Sequence, residues 1–453
     1  MAAGQGKRMH SALPKVLHPL AGRPLVAHVL ASARALSPRA LAVVVGHGGE
    51  AVVHALAAPD LTFVTQDPPR GTGDAVRMAL VALPGDGITV VVNGDCPLIP
   101  AATLAAVADI AAAGRLALLT ARASDPAGLG RIVRDATGAV RAIVEDKDAT
   151  PAQAGIDEIY TGVLAAPTGM LRAWVAALRN DNAQGEFYLT GVVALAVAAG
   201  APVTAHLAAR EEDIHGVNDR AELAAIERIV QRRQARTLLA AGTWIADPDR
   251  FDLRGTLACG RDVRIDIGCV LEGEVALGND VSVGAHCVLK NVTVGAGTII
   301  APFSHLEAAT IGANCRIGPY ARLRPDTALA DDVHIGNFVE VKASTLGRGA
   351  KANHLAYIGD SVVGSGVNVG AGTITANYDG ANKHRTVIGD GAHIGSNSVL
   401  VAPVTVGKGA TIGAGSVIAK EAPPDVLTVA RAKQVSVPGW KRPVKVKKSG
   451  PSG

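Results

Sequence analysis

Apolar residues along the chain follow two different periods. In the first half, short apolar runs rich in β-branched residues alternate with Ala-rich stretches of helical spacing. Residues 41–45, 62–66 and 88–93 are predicted strands, and residues 74–83 and 101–113 are predicted helices. This alternation is typical of a doubly wound, Rossmann-like α/β domain with a largely parallel sheet, whose carboxyl ends carry the chemistry.

The second half of the chain follows a period of six. Aliphatic residues recur every six positions in two runs, and glycine follows many of them directly. The pattern predicts a left-handed parallel β-helix of hexapeptide repeats, since a sandwich of alternating strands would show a period of two. The first run is Ile311, Ile317, Leu323, Leu329, Ile335 and Val341, and the second is Ile388, Ile394, Leu400, Val406, Ile412 and Ile418.

The length of 453 residues exceeds what one hydrophobic core usually covers. We expect an α/β domain over residues 1–216, a linker helix over 217–242, a β-helix over 243–435 and a basic, flexible tail over 436–453. One face of the linker helix is apolar and consists of Leu223, Ile226, Ile229 and Val230.

Positive charge is concentrated in the tail, where Lys441, Arg442, Lys445, Lys447 and Lys448 carry five of the charges behind a net charge of +4. The rest of the chain is close to −1 with 3% aromatic residues, which argues against a nucleic-acid partner. Five dispersed cysteines without a C-x-x-C pair indicate reduced thiols in a cytoplasmic protein. No signal peptide or apolar run of ~18 residues is present, so we expect no membrane partner.

A glycine-rich loop near Met1 is a candidate phosphate site. Gly4 and Gly6 let backbone N–H groups approach phosphates closely, and Arg8 and Lys15 can neutralise the phosphate charge. Taken alone, such a loop is as often only a turn.

Two further segments strengthen this prediction. Asp95 ends an apolar strand at the carboxyl edge of the predicted sheet, where a carboxylate beside a phosphate loop suits Mg²⁺. The alternative for Asp95 is a turn residue. Gln66 with the loop at residues 71–73 is a candidate for binding a nucleobase or phosphate.

A pair of cations in the β-helix suggests a second site. Arg324 and Lys342 are eighteen residues apart, which is one coil, so they occupy equivalent positions on strands ~4.8 Å apart. Two cations this close suit a bridging anion such as a sugar phosphate, and two solvated surface charges are the alternative.

Other β-helix residues extend this second candidate site. Ser396 and Ala414 are also eighteen apart, and stacked small side chains would let an extended pantetheine arm lie against the solenoid, although small residues are common in such repeats. The six-residue frame breaks between Thr375 and Val387, which predicts a functional loop. His354 is a candidate general base because imidazole has a pKa of ~6.5, but a lone histidine is more often structural.

The chain resembles a known family of bifunctional bacterial enzymes, the N-acetylglucosamine-1-phosphate uridyltransferase/glucosamine-1-phosphate acetyltransferases. The resemblance rests on the motifs A-A-G-x-G-x-R-M, L-P-K-V-L-H, Q-x-x-x-x-G-T-G, G-D-x-P-L, V-E-x-K-D-A-T, N-A-Q-G-E-F-Y-L-T, G-V-N and V-N-V-G-A-G-T-I-T-A-N-Y-D-G-A-N-K-H. It implies acetylation of glucosamine-1-phosphate by acetyl-CoA, then transfer of UMP from UTP with Mg²⁺, giving UDP-N-acetylglucosamine for peptidoglycan and lipopolysaccharide synthesis. It also implies a homotrimer, with each acetyltransferase site shared between neighbouring β-helices.

The resemblance also implies roles for single residues. Ala2, Gly4 and Lys15 would hold the nucleotide, Gln66, Gly71 and Thr72 the uracil side, Gly130 and Glu145 the sugar, and Asp95 and Asn218 the Mg²⁺. His354 would be the catalytic base; Arg324, Lys342, Tyr357 and Asn368 would bind the amino-sugar phosphate; and Ala371, Asn377, Tyr378, Ser396, Ala414 and Arg431 would contact acetyl-CoA.

The sequence departs from the family pattern at three places. Tyr160 stands where the family has a sugar-side asparagine, and Gly191 stands where it has an acidic residue. Met1 stands where the family's apolar first strand ends. Because that strand is central and buried on both faces, we expect that the natural protein begins upstream.

Three other protein classes share parts of this pattern. ADP-glucose pyrophosphorylases join a nucleotidyltransferase to a short β-helix, but lack the histidine and the Asn-Tyr-Asp-Gly loop. γ-type carbonic anhydrases build zinc sites from two histidines five residues apart, a spacing that the β-helix histidines lack. Translation-factor subunits carry both domain types as scaffolds, but the phosphate-loop, Gly-Asp and His354 chemistry argues against that class.

Overall fold

The computed structural model describes residues 1–4, 6–182 and 184–445. Its contacts divide the chain into two compact units. Unit 1 contains Met1–Ala241, Asp247–Thr256 and Val270–Gly273, and unit 2 contains Gly242–Ala246, Leu257–Cys269 and the residues from Glu274 on. Within the described ranges, no helix combines the length and the apolar character needed to cross a membrane.

The first ten strands and all eight described α-helices precede Gly242. The strands are β1 (Pro19–Leu20), β2 (Arg23–Pro24), β3 (Leu41–Val45), β4 (Leu61–Thr65), β5 (Ile88–Val91), β6 (Leu116–Arg122), β7 (Arg131–Arg134), β8 (Val140–Val144), β9 (Glu158–Pro167) and β10 (Val203–Leu207). The helices are α1 (Leu25–Arg34), α2 (Gly49–Leu56), α3 (Thr72–Val81), α4 (Ala101–Ala112), α5 (Pro151–Ala154), α6 (Thr168–Ala176), α7 (Gly191–Ala198) and α8 (Arg220–Ala240). Short 3-10 helices cover Lys7–Met9, Lys15–Leu17, Asp146–Asp148, Glu211–Ile214 and Pro248–Arg250.

Unit 1 has a mixed sheet rather than the largely parallel one expected. β10 is parallel to β6, but β9 runs antiparallel to β5, β6 and β7. The reason is local: β7 and β8 form an antiparallel pair ahead of β9, so β9 returns in the opposite direction. β3 and β4 form a parallel pair of their own, apart from these strands.

Side-chain alternation along β6 explains why helices cover both faces of the sheet. Leu116 and Leu118 pack into the core with α6 and α7, whereas Ala117 and Leu119 pack into the core with α4. A strand buried on both faces has apolar residues at consecutive positions, as β6 does from Leu116 to Leu119. The apolar face predicted for α8 also packs within unit 1, where Ile226 joins the cluster of Leu20 and Leu25.

Nearly all of the remaining strands stack into the coils of a β-helix. They are β11 (Trp244–Ile245), β12 (Phe251–Cys259), β13 (Arg264–Ile265), β14 (Cys269–Leu277), β15 (Ser282–Val283), β16 (Val288–Val294), β17 (Ile299–Ile300), β18 (His305–Ile311), β19 (Arg316–Ile317), β20 (Arg322–Leu323), β21 (Thr327–Leu329), β22 (His334–Asn337) and β23 (Glu340–Lys342). They continue with β24 (Thr345–Leu346), β25 (Lys351–His354), β26 (Tyr357–Gly359), β27 (Ser361–Val363), β28 (Asn368–Val369), β29 (Ile374–Ala376), β30 (Thr386–Ile388), β31 (His393–Ile394), β32 (Val399–Val401), β33 (Val404–Val406), β34 (Thr411–Ile412), β35 (Val417–Ile418) and β36 (Leu427–Thr428).

The six-residue period of the sequence corresponds to the stacking in unit 2. Leu323 pairs with Val341 one coil later, in parallel, and Ile394 pairs with Ile412 in the same way. All twelve aliphatic residues of the two predicted runs are buried, at 4% exposure or less. The predicted break in the frame is a loop between β29 and β30, so the six-residue prediction is confirmed residue by residue.

A column of rings stacks on the surface of the β-helix. The ring centroids of His286 and Phe303 are 5.3 Å apart, those of Phe303 and Tyr320 are 5.1 Å apart, and those of Tyr320 and Phe338 are 5.3 Å apart. All four residues have left-handed backbone dihedrals, with φ between 55° and 61°. Residues other than glycine rarely adopt this backbone conformation, so stacked rings lie at turns of the β-helix where large side chains are uncommon.

Two candidate active sites

The glycine-rich loop at the start of unit 1 is open on the side of Gly4. A Cβ atom added at Gly4 would meet no atom within 4 Å, so the backbone there is accessible to a ligand. Gly6 has a φ of +59°, and a Cβ there would lie 2.6 Å from the Cβ of Lys15, so the loop packs directly on Lys15. Arg8 is exposed, while Ala2 is buried and pairs with Val45.

Lys15, Asp95 and Asn218 converge although they are far apart in the sequence. The Lys15 ammonium forms a short ion pair with Asp95 and donates to Asn218 Oδ1 at 3.3 Å. The N–H of Val217 donates to the carbonyl of Asp95 at 2.9 Å, which fixes the two segments side by side. The cluster combines a carboxylate oxygen, an amide oxygen and a cation, and Lys15 also packs on the glycine-rich loop.

Gln66 and the loop at Gly71 form one continuous hydrogen-bonded element. Gln66 is buried, and its Nε2 donates to the carbonyl of Gly71 and to Asp74 Oδ2, both at 3.0 Å. Among the described residues, all hydrogen bonds of this side chain use its nitrogen, which leaves the amide oxygen to accept from a ligand. Thr72 Oγ1 accepts from the N–H of Leu189 at 3.0 Å.

The predicted sugar-side residues meet around Glu145. Thr190 Oγ1 donates to Glu145 Oε1 at 2.9 Å, and the N–H of Tyr160 donates to the carbonyl of Gly130 at 2.8 Å. A Cβ at Gly130 would lie 3.7 Å from Glu145 Oε2 and 3.8 Å from the Cβ of Tyr160. Burial raises the pKa of Glu145, which the hydrogen bond from Thr190 partly offsets.

Tyr160 is directed into the core of unit 1 rather than into open space. Its ring is buried among Leu118, Ile143 and Leu164, and burial raises its pKa. Within the described chain its hydroxyl has no hydrogen-bond partner. An orphaned buried hydroxyl is costly, so this hydroxyl lowers the stability of unit 1.

His354 lies at the end of β25 and is held by the preceding coil. Its Nδ1 is 2.9 Å from Asn337 Oδ1, and the two residues are paired in the strand register. The side chain is exposed. With the amide oxygen accepting, Nδ1 carries the hydrogen and Nε2 is left with the lone pair.

Small residues continue the column that contains His354. Lys351 pairs with Asn368 and Ala352 pairs with Val369, so the same register two residues further on places His354 beside Ala371. The registers of the next two strand pairs place Ser396 beside Ala371 and Ala414 beside Ser396. The N–H groups of Asn397 and Gly415 donate to the carbonyls of Ala371 and Ser396, which agrees with this register.

Arg431 and Asn368 lie on the same part of the β-helix. Arg431 Nη1 donates to the carbonyl of Ala414 at 2.7 Å, so its guanidinium is fixed at the end of the column. Asn368 is exposed and pairs in register with Lys351 before it and His393 after it.

Arg324 and Lys342 lie on adjacent stacked strands, one residue beyond the pair Leu323–Val341. Arg324 also forms an ion pair with Glu340, with Nη1 2.9 Å from Oε1. Lys342 faces Lys383 of the loop, and its ammonium lowers the pKa of Lys383. Glu340 therefore neutralises the charge of Arg324, whereas Lys342 and Lys383 form a small region of positive charge.

The loop between β29 and β30 starts from a hydrogen-bonded cluster. Asn377 Nδ2 forms a short hydrogen bond to Asp360 and lies 3.4 Å from the hydroxyl of Tyr357. Tyr378 is 62% exposed, and its hydroxyl donates to the carbonyl of Gly380 at 2.6 Å. The loop thus exposes the ring of Tyr378 next to Asn377, whose side chain is held by hydrogen bonds.

Three family models match the chain. Residues 1–241 match the MobA-like NTP transferase domain, residues 253–338 the GMPPB C-terminal domain, and residues 385–420 the bacterial transferase hexapeptide of six repeats. The bifunctional protein GlmU of Janthinobacterium sp. (strain Marseille) is 56% identical over 448 residues, which cover 99% of both chains. The bifunctional protein GlmU of Ralstonia nicotianae is 57% identical over 448 residues, covering 99% of this chain and 98% of the relative. The chain belongs to the GlmU family.

Family membership confirms several predictions from the sequence. The GlmU relatives match from the nucleotidyltransferase domain through the hexapeptide repeats, so the predicted fold class and the resemblance are both confirmed. The chain is a transferase of the bifunctional GlmU type. The tail beyond residue 445, including Lys447 and Lys448, lies outside the described residues.

Six contact residues in this GlmU-type chain were not predicted from the sequence: Asp74, Thr190, Asn337, Glu340, Asp360 and Lys383. A signal existed for two of them, because Thr190 and Lys383 are letters of motifs already matched. Asn337 pairs with His354 over seventeen residues, so a count of eighteen points to Gly336 instead. Asp74, Glu340 and Asp360 act only through a neighbouring side chain, which no spacing rule indicates.

Proposed function

We propose that unit 2 acetylates glucosamine-1-phosphate with acetyl-CoA and that unit 1 transfers UMP from UTP to the N-acetylated product, releasing pyrophosphate. The observation that carries this proposal is the grouping of the predicted residues. Those assigned to uridylyl transfer meet around Lys15, Gln66 and Glu145, and those assigned to acetyl transfer follow the columns of His354 and Lys342.

In acetyl transfer, the amine of glucosamine-1-phosphate attacks the thioester carbonyl of acetyl-CoA. A C–N bond forms, the C–S bond breaks, and CoA leaves as the thiol. His354 Nε2 takes the amine proton, because Asn337 holds the hydrogen on Nδ1. Arg324, Lys342, Tyr357 and Asn368 bind the sugar phosphate.

The acetyl-CoA site follows the solenoid surface beyond His354. Small side chains at Ala371, Ser396 and Ala414 let an extended pantetheine arm lie along their column, and Arg431 at its end supplies positive charge for the phosphates of CoA. Asn377 and Tyr378 contact the acetyl-CoA from the loop.

In uridylyl transfer, a phosphate oxygen of the sugar-1-phosphate attacks the α-phosphorus of UTP in line. No covalent intermediate on the enzyme is needed, so positioning and charge neutralisation account for the catalysis. Lys15, Arg8 and the backbone at Ala2 and Gly4 hold the phosphates. Gln66, Gly71 and Thr72 hold the uracil side, and Gly130, Glu145 and Tyr160 hold the sugar.

Asp95 and Asn218 fit a magnesium ion. A carboxylate and an amide oxygen side by side are ligands that Mg²⁺ accepts, with water and substrate phosphates completing its shell. The close approach of the Lys15 ammonium to both side chains supports a cation site at these oxygens. Bound there, Mg²⁺ would neutralise charge on the triphosphate.

The proposal also covers the domain boundaries, the oligomeric state and the location of the protein. Residues 1–216 form the uridyltransferase domain, 217–242 a linker helix, 243–435 the acetyltransferase domain and 436–453 a basic tail. The hexapeptide repeats support a homotrimer formed through the β-helix. Five free cysteines support a reducing, cytoplasmic location.

One assay tests the proposal. The chain receives glucosamine-1-phosphate, acetyl-CoA, UTP and Mg²⁺ together, and we expect UDP-N-acetylglucosamine, pyrophosphate and free CoA. Each half is then measured alone, with N-acetylglucosamine-1-phosphate for unit 1 and without UTP for unit 2. Formation of a nucleotide sugar from ATP and glucose-1-phosphate, with no release of CoA, would instead support a pyrophosphorylase with a structural β-helix.

A further inference from the structure

The side-chain amide of Gln66 has a fixed direction in unit 1. Its Nε2 donates to the carbonyl of Gly71 and to Asp74 Oδ2, both at 3.0 Å. A backbone carbonyl and a carboxylate only accept hydrogen bonds, so both partners require the NH₂ group of the amide and neither can bind its oxygen. The hydrogens of the amide are therefore used inside unit 1, and Oε1 is the atom left for a ligand.

The Oε1 atom of Gln66 is accessible although the residue is buried. The residue is only 4% exposed. In the described part of the chain, the fully buried side-chain atoms without a partner do not include Gln66 Oε1, so this oxygen is open to a ligand. Gln66 directly follows β4, and its N–H donates to the carbonyl of Val45 at 2.8 Å. The backbone of Gln66 is thus held as well as its amide.

Asp74 is held from its other side by a charged partner. It lies in the first turn of α3, where the positive end of the helix dipole favours a carboxylate, and it is 5% exposed. Its Oδ1 accepts a short hydrogen bond from Arg77 Nη2. The Arg77 guanidinium lies over the ring of Phe187, 5.3 Å from the ring centre. Each oxygen of Asp74 therefore has a donor inside unit 1, one from Arg77 and one from Gln66.

The carbonyl of Gly71 belongs to a loop that is equally well held. The N–H of Gly73 donates to the carbonyl of Phe187 at 2.7 Å, and a Cβ atom at Gly71 would lie 2.7 Å from the same carbonyl oxygen. If the Gln66 amide turned over, its oxygen would face the Gly71 carbonyl and the Asp74 carboxylate, and the hydrogen bonds to both would be lost. Acceptors on both sides thus determine the direction of the amide.

An acceptor that cannot turn selects a ligand that donates. The hydrogen-bonding edge of uracil has an N–H group, at N3, between two carbonyls, whereas N3 of cytosine is itself an acceptor. Gln66 Oε1 would accept from the N3–H of uracil, but it would face the lone pair of cytosine N3. A site that leaves such a polar group unpaired rejects the wrong ligand strongly.

We infer that Asp74 is a positioning residue that sets the nucleobase preference of unit 1. The inference rests on the proposed uridylyl transfer, in which Gln66 holds the uracil side. Asp74 uses both of its oxygens inside unit 1 and acts on the base only through Gln66. By binding the NH₂ group of the amide, it leaves only the amide oxygen for the base and so favours uracil over cytosine.

The test is Asp74→Asn, which keeps the size of the side chain. Arg77 binds the oxygen of the introduced amide, whose NH₂ group then faces the NH₂ group of Gln66, so Gln66 loses an acceptor and its fixed direction. The values of kcat/KM for UTP and CTP are measured on the full chain with N-acetylglucosamine-1-phosphate and Mg²⁺. The unaltered chain should prefer UTP by ~10²-fold or more. Asp74→Asn should reduce this UTP/CTP ratio about tenfold. An unchanged ratio would overturn the inference.

Arg77→Met is the matched control, because it removes the charge behind Asp74 but keeps the contact between Asp74 and Gln66. Its UTP/CTP ratio should equal that of the unaltered chain. With Asp74→Asn and Arg77→Met combined, the introduced amide is free to turn its oxygen to Gln66, and the ratio should recover by about threefold or more relative to Asp74→Asn alone. No recovery, or an equal loss in Arg77→Met alone, would contradict the inference.

A second variant and a binding measurement keep the test decisive. If Asp74→Asn does not fold, Asp74→Ser takes its place, since it removes the acceptor from Gln66 without adding a donor that must face it, and the same loss of preference is expected. Calorimetric titration with UTP and with CTP measures the preference without turnover. Equal affinity of the unaltered chain for UTP and CTP, or binding of neither, would overturn the inference.

The two measurements also separate this inference from the proposed function. A binding preference for UTP that Asp74→Asn relaxes, in a chain that transfers no UMP to the sugar phosphate, would support the role of Asp74 and refute the proposed reaction. Transfer of UMP with a UTP/CTP ratio that no Asp74 variant changes would refute the role of Asp74 alone.

Discussion

The two units build their sites in opposite ways. In unit 1, Lys15, Asp95 and Asn218 come from segments separated by many tens of residues, and they meet outside the strands. In unit 2, Asn337, His354 and Ala371 come from successive coils, and one strand register aligns them. A site set by a repeat can be located by counting residues, whereas a site set by loops requires motifs.

The largest expected effect tests whether the two sites are independent. His354→Ala removes the proposed base, so acetyl transfer should fall by about 10²–10⁴-fold while uridylyl transfer stays within twofold. Both half-reactions are measured by steady-state kinetics. His305→Ala, an exposed histidine elsewhere on the β-helix, is the matched control and should change neither. Parallel loss of both activities in a folded His354→Ala protein would show that the units are not separable.

The reverse separation is expected from Asp95→Asn. The change removes the charge of a proposed metal ligand but keeps its size, and uridylyl transfer should fall by ~10²-fold or more. Asp86→Asn, at an exposed carboxylate of the same unit, serves as control. Uridylyl transfer that survives Asp95→Asn with an unchanged Mg²⁺ requirement would remove Asp95 from the metal site.

A double-mutant cycle tests the stacked cations of unit 2. Arg324→Ala and Lys342→Ala should each raise the KM for glucosamine-1-phosphate by about tenfold or more, because each removes a proposed charged hydrogen bond to the phosphate. If both bind one phosphate, the two losses couple by ~0.5–3 kcal/mol, and the double variant loses less than the sum. Strict additivity would indicate two unrelated surface charges.

A comparison of two glycines separates strain from collision in unit 1. Gly71 has a φ of +102°, and a Cβ there would lie 2.7 Å from the carbonyl of Phe187. Gly114 has a φ of +78° with nothing within 4 Å. Gly114→Ala should therefore cost ~1–2 kcal/mol from strain, and Gly71→Ala about 1–3 kcal/mol more. Denaturant unfolding of unit 1 measures both, and equal losses would show that the contact with Phe187 is not rigid.

The smallest effect concerns Tyr160. Tyr160→Phe removes a buried hydroxyl without a partner among the described residues, so unit 1 should gain ~1 kcal/mol in stability. If the sugar satisfies that hydroxyl, the KM for N-acetylglucosamine-1-phosphate should rise in the same variant. Tyr160→Asn, which restores the short amide of the family, should improve the use of this substrate. Kinetics unchanged in both variants would place Tyr160 outside the sugar site.

Sequence alone predicted unit 2 more completely than unit 1. Where a coil has eighteen residues, the count aligns the small residues of a column, as Ser396 and Ala414 show. In unit 1, the strand 41–45 was predicted to the residue, but the antiparallel course of β9 was not. The direction of a strand depends on which sheet edges are free when the chain returns to the sheet. The local strand propensity of the sequence contains no information about those edges. The ion pair of Arg324 with Glu340 was missed because it depends on rotamers rather than on period.

The ring column of unit 2 has a spectroscopic consequence. Tyr320, one of five tyrosines, lies between two phenylalanine rings, so its near-ultraviolet circular dichroism and emission depend on the coils before and after it. Trp174 of unit 1 is buried, whereas Trp244 and Trp440 are exposed, so the blue edge of the tryptophan emission reports on unit 1. Heating the chain while following both chromophores would resolve which unit melts first, without a label and without separating the units.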